Sequence, residues 1–105
     1  MDKREALRIA NQYIDTISNK YFILQAFMFG SFAKGTNHRD SDIDIALVVE
    51  NVSDIIDVQI DMMKIRRKVD LRIEPHPFTV SDFNKENPVV DEILKSGVPI
   101  KIVEA

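Results

Sequence analysis

Cysteine is absent from this 105-residue chain. That excludes disulfides, thiolate metal sites and cysteine nucleophiles, so any metal must be held by oxygen or by histidine. An excess of basic residues is missing too. Fourteen Lys and Arg stand against seventeen Asp and Glu, a net charge of −3, which argues against nucleic acid as a bulk ligand. No stretch approaches the roughly 18 uncharged apolar residues of a membrane helix, and Met1-Asp2-Lys3-Arg4-Glu5 leads into no apolar signal core. With no cysteine and no such segment, the expectation is a soluble cytoplasmic protein without membrane contacts. Internal repeats, low-complexity tracts and linkers are also lacking, which predicts a single domain over residues 1–105.

What is present fits a globular domain: 45% of residues are hydrophobic and 30% charged. Ala6, Ala10, Tyr13 and Ile17, with Leu7, Ile9 and Ile14, recur at helical spacing behind an Asp2 cap with Glu5 three residues on. Residues 21–29 are an almost continuous apolar run and read as a strand buried on both faces. Gly30 ends it and opens a polar stretch in which a short helix is expected to start at Ser31. Residues 42–49 read as a central strand whose first end reaches solvent. Ser53 or Asp54 caps a helix reaching about Arg67 with Ile56, Ile60 and Met63 on one face, although the alternation of Ile56, Val58, Ile60 and Met62 is also a strand period.

Val69, Leu71 and Ile73 alternate with Asp70, Arg72 and Glu74, predicting a strand that Pro75 and Pro77 terminate. Asn87-Pro88 starts a helix with an apolar stripe of Val89, Val90, Ile93 and Leu94, and Gly97 stops it. A short edge strand over 98–103, marked as an edge by Pro99, completes an α/β (α+β) chain: a small mixed sheet flanked by helices. Phe78, Val80 and Phe83 pack on the sheet or form part of a partner surface. His38 and His76 lack metal-ligand spacing and read as loop residues.

Chemistry concentrates in a few residues. Two apart on a strand, Asp42 and Asp44 share a face with Cα atoms roughly 6.5–7 Å apart. Like charges this close share a proton or recruit a cation, and hard carboxylate oxygens select Mg²⁺ or Mn²⁺. If a neighbouring strand turns its apolar side the same way, Asp70 joins them, and three carboxylates can hold two divalent ions about 3.5–4 Å apart. Glu74, two residues beyond Arg72, could take the place of Asp70. Gly30 lets a phosphate approach the backbone, and Ser31 adds a hydroxyl donor. The Gly30–Gly35 spacing is not a P-loop, because Thr36 stands where Lys is required. Lys34, Arg39 and Arg72 either contact phosphates or are solvated surface charges.

Gly30-Ser31, ten intervening residues, Asp42-Ile43-Asp44, and Asp70 in Arg66-Arg67-Lys68-Val69-Asp70-Leu71-Arg72 together resemble the DNA polymerase beta nucleotidyltransferase superfamily, in its minimal nucleotidyltransferase branch. The resemblance spans residues 21–103. It implies a palm-like nucleotidyltransferase fold and, with Mg²⁺ (two ions, or Mn²⁺) and ATP or another nucleoside triphosphate, transfer of a nucleoside monophosphate to a hydroxyl. By this analogy Asp42 and Asp44 bind both metals, Asp70 binds the catalytic metal, and Gly30, Ser31, Lys34 and Arg39 face the nucleotide. Members of the branch are commonly antitoxins of helical HEPN ribonuclease toxins, and some adenylylate a tyrosine of the toxin. The resemblance therefore also implies a HEPN-type protein partner that brings its own acceptor surface. The alternative is a non-catalytic partner that uses the same fold only to bind.

Overall fold

The computed structural model describes residues 1–102. Helix α1 (Lys3–Ile17) begins at the expected cap, with the Glu5 backbone N–H donating to Asp2 Oδ1 at 2.8 Å. Glu5 does not reach back to complete a capping box; it pairs with Arg8 at 2.6 Å one turn on. The helix buries its apolar stripe of Ala6, Ile9, Ala10, Tyr13, Ile14 and Ile17. After it come strand β1 (Phe22–Phe29), the single turn α2 (Ser31–Lys34) and strand β2 (Ile43–Glu50). Helix α3 (Ile55–Ile65), capped by Asp54, runs through a 3₁₀ turn (Arg66–Lys68) towards strand β3 (Ile73–Thr79). Helix α4 (Pro88–Ser96) and the two-residue strand β4 (Val98–Pro99) follow.

The sheet order is β3-β2-β1-β4, with β2 and β3 parallel and the other two pairs antiparallel. This is the mixed sheet with flanking helices that the sequence predicts, with β2 central and β4 at an edge. Ile100 prolongs the β4 contact by donating to the Ala26 carbonyl at 2.8 Å, while Val103, the far end of the expected strand, lies outside the described residues. One face of the sheet, through Ile23, Met28, Ile43, Ile45, Leu47 and Ile73, shares a buried cluster with α1 and α3. Within it the Tyr13 hydroxyl donates to the Met62 carbonyl at 2.7 Å, joining the two helices.

Four expectations are corrected. Strand β1 is fully buried on one face only: Ile23, Ala26 and Met28 are inside, whereas on the other face Phe27 and Phe29 are half-buried against Phe83 and His76, and Phe22 is 69% exposed. Helix α3 does not bury Ile56, Ile60 and Met63. It carries two apolar stripes, and docking against β3 selects Ile55, Val58, Met62 and Ile65, leaving Ile56 68% exposed. In α4, Val90 and Ile93 are buried but Val89 and Leu94 are exposed. The largest change is in β3, which starts at Ile73 and runs through both prolines rather than stopping at them.

The prolines are tolerated because of the ladder's phase. The Ile43 N–H donates to the Arg72 carbonyl at 2.8 Å, so in this parallel pair the even-numbered residues of β3 face β2 and the odd-numbered ones direct their backbone groups outward. Pro75 and Pro77 are odd-numbered residues of an edge strand, where a missing N–H costs no ladder bond. The outward carbonyls are covered by side chains: Gln59 Nε2 donates to Pro75 O at 2.7 Å and Arg66 Nη1 to Ile73 O at 3.0 Å.

Leu47→Ala, which empties a fully buried site on the central strand, is expected to lower stability by about 2–5 kcal/mol. Ile56→Ala, on the exposed stripe of α3, should change it by less than about 0.5 kcal/mol. Urea unfolding midpoints measure both, and equal losses would contradict the burial described.

Candidate active site

Strand alternation builds the site. Ile43, Ile45 and Leu47 are fully buried on one side of β2, which turns Asp44, with 27% of its side chain exposed, to the other side, while exposed Asp42 stands just ahead of the strand. Antiparallel pairing places Phe29, the last residue of β1, opposite Asp44, so the turn at Gly30 lies beside the carboxylate. Gly30 adopts a φ of +76°, and a Cβ there would sit 2.5 Å from Asp44 Oδ2. A side chain at position 30 would therefore fit only if the Asp44 carboxylate moved aside. Ser31 opens α2, whose Phe32 is buried in the core and anchors the turn. Further along the loop, the Ser41 N–H donates to the His38 carbonyl at 3.1 Å and the His38 N–H to Ser41 Oγ at 2.9 Å, a closed turn that presents Asp42.

The remaining predicted residues are placed as follows. Lys34 pairs with Glu92 on α4, and Arg39 is exposed in the loop ahead of Asp42. Asp70 is not on a strand; it lies in the turn before β3. Its carboxylate accepts from Arg72 N at 2.8 Å, Nε at 2.9 Å and Nη2 at 2.7 Å. These guanidinium bonds hold the Asp70 carboxyl below the usual aspartate range. The structure thus sets Gly30 against Asp44, with Ser31 and Asp42 their near neighbours in the chain, and gives Asp70 a separate local partner.

Two site residues were missed as site residues or set second. His76, expected in a loop, is on β3, with its Nε2 3.0 Å from Asp44 Oδ1 and its ring edge-on to Phe29 at 5.0 Å between centroids. Glu74 is the register partner of Asp44. The signal for both was present in the spacing Glu74-x-His76, which shares one strand face once the prolines are read as edge residues. Beyond them on β3, Phe78 packs edge-on to Phe83, which stacks on Phe27 at 5.8 Å, so the phenylalanines pack on one another, while Val80 is exposed.

The donor set is hard oxygen, which fits a hard divalent cation such as Mg²⁺. Asp42 and Asp44 would hold it, with Asp44 Oδ2 seated over the Gly30 backbone. Among the described residues, no three acidic or histidine side chains are converged as a closed ligand set.

Residues 11–103 match the family model described as Polymerase beta, Nucleotidyltransferase. The chain belongs to this nucleotidyltransferase family. No curated protein matches its sequence. Among solved structures, a chain of a toxin–antitoxin complex with AMP-PNP superposes with a TM-score of 0.64 at 20% identity, over 90% of this chain and 74% of that one. A chain of a point mutant of the MntA-HpeT toxin–antitoxin complex gives 0.65 at 20% identity, over 90% and 73%. A Sulfolobus solfataricus protein described as a nucleotidyltransferase gives 0.65 at 19% identity, over 92% and 80%. At these identities the likeness establishes the nucleotidyltransferase fold.

Gly30→Ala is expected to cost about 1–3 kcal/mol through its positive φ and to displace the Asp44 carboxylate. A fall in thermal midpoint measures this, and an unchanged midpoint would contradict the close approach. The Asp70–Arg72 pair makes a second expectation. A folded-state value below the ordinary 3.8 means its stabilisation is present above that value and lost as pH falls through the lower one. Asp70→Asn should therefore be less stable than wild type near neutrality and converge with it as the pH falls below 3.8.

Proposed function

We propose that this chain is a Mg²⁺-dependent nucleotidyltransferase that moves AMP from ATP to a hydroxyl of a protein partner, and that it is the antitoxin of a helical HEPN-type toxin in the cytoplasm. The observation that carries the reading is the contact between the Gly30 turn and the Asp44 carboxylate. It sets a glycine turn, where the backbone is uncovered by a side chain, against a cation-binding carboxylate, and a surface used only for binding needs no such junction. Family membership supports the chemistry, and similarity to a toxin–antitoxin complex with AMP-PNP supports the nucleotide and the partner.

In this reading Asp42 and Asp44 hold Mg²⁺, with a third carboxylate supplied from the β3 side of the sheet. The metal supplies Lewis-acid polarisation of the phosphates and neutralises charge that develops on the leaving group. Gly30 and Ser31 cradle the triphosphate through backbone N–H groups and the Ser31 hydroxyl. Arg39, exposed beside Asp42, and Lys34, once it releases Glu92, add positive charge for the phosphates. The acceptor oxygen bonds to the α-phosphorus, the bond to the bridging oxygen breaks, and pyrophosphate leaves. The acceptor proton passes to a carboxylate of the site. His76 holds Asp44 from the side away from Gly30, orienting the carboxylate. No helix of the described residues is long and apolar enough to cross a membrane.

A second reading, a non-catalytic partner of the toxin, is favoured by exposed Ile56 and Ile60 one turn apart on α3, an apolar stripe suited to a partner with or without chemistry. Incubation with Mg²⁺ and α-labelled ATP, with and without the product of the neighbouring gene, separates the two. Label is expected on the partner with wild type, and Asp42→Asn should reduce it at least about 100-fold, the scale of losing a group that stabilises transition-state charge. Label that never reaches protein, with wild type and mutant alike, leaves only the binding reading.

A further inference from the structure

Two acids compete for the place beside Asp42 and Asp44, and strand register separates them. Asp44 is opposite Glu74 across the parallel β2–β3 pair. Both lie on the same face, because their neighbours Ile43 and Ile73 are fully buried on the other. Register partners on adjacent strands are about 5 Å apart, within one side chain's reach of a shared ion. Asp70 is four residues upstream, where the chain has left the sheet for a turn.

The partners of the two acids differ as sharply. Asp70 accepts three N–H bonds from Arg72, one of them from the backbone, and this closes the turn that feeds β3. Freeing it would break local structure as well as a bidentate ion pair. Among the described residues Glu74 has only a loose contact, 3.6 Å to Arg66 Nη1, and 38% of its side chain is exposed. Arg66 is held independently by the Ile73 carbonyl, so turning Glu74 towards Asp44 breaks only that loose contact. His76, the next β3 residue on that face, already bridges to Asp44 Oδ1, showing that a side chain of β3 reaches this carboxylate.

We propose that Glu74, not Asp70, is the third carboxylate of the site, and that Asp70 with Arg72 is a structural clasp at the start of β3. The proposal rests on the metal-dependent reading above. The test is Mn²⁺ affinity, read by electron paramagnetic resonance in the presence of a non-hydrolysable ATP analogue, so that turnover plays no part. Glu74→Gln is expected to weaken Mn²⁺ binding about tenfold or more, as Asp44→Asn does, with its circular dichroism unchanged. Asp70→Asn should stay within about twofold of wild type in affinity while losing thermal stability. If Glu74→Gln fails to fold, Glu74→Asp, which shortens the reach by one methylene, is expected to weaken binding in the same direction. Wild-type affinity in a folded Glu74 variant, or a loss in Asp70→Asn equal to that of Asp44→Asn, overturns the assignment and leaves the metal-dependent reading standing. Failure of the wild-type protein to bind Mn²⁺ at all removes both.

Discussion

The register of β1 against β2 is the constraint from which the candidate site follows. With Phe29 opposite Asp44, the chain must turn directly beside a carboxylate, and it does so at a residue with positive φ and no room for a side chain. Shifting the pairing by one residue would move Asp44 to the buried face and send Ile43 and Ile45 into solvent. The apolar residues of β2 therefore hold the chemistry in place as much as they hold the core. Phe32, buried in the turn of helix after Gly30, fixes the other end of the same turn.

The second constraint is the parallel entry of β3. A parallel pair needs a crossover, and α3 with the 3₁₀ turn after it supplies one, packing on β3 and covering the outward carbonyls of Pro75 and Ile73 with Gln59 of the helix and Arg66 of the turn. An edge strand with two prolines and side-chain-capped carbonyls is a poor template for further pairing, which protects this side of the sheet. The same arrangement delivers Glu74 and His76 to the face that carries Asp44. One strand thus closes the sheet and furnishes the site.

Much of the site was legible in local pattern. The Asp2 and Asp54 caps, the turn of helix at Ser31, the alternation from Asp42 onward and the stop at Gly97 each depend on neighbours a few residues away. Gly97 illustrates the limit of such a reading: its φ is an ordinary −71°, and glycine is required because a Cβ would sit 2.4 Å from the Ile93 carbonyl oxygen. The position was readable, but the reason was steric. Elsewhere local pattern was ambiguous. Helix α3 has two apolar stripes of similar quality, and residues 69–74 alternate as well as any strand.

The sequence by itself determined the helix starts, the order of elements and the pairing of a glycine turn with two aspartates, because these follow from side-chain periodicity and backbone preference over short spans. Only the tertiary structure decided which stripe of α3 is inside, that β3 starts at Ile73, and which acid faces Asp44. Those outcomes depend on ladder phase between β2 and β3, a relation between residues far apart in the chain. An Asp-Arg turn and an alternating strand look alike in sequence, and the hydrogen bonds of Arg72 to Asp70 and of Ile43 to the Arg72 carbonyl tell them apart.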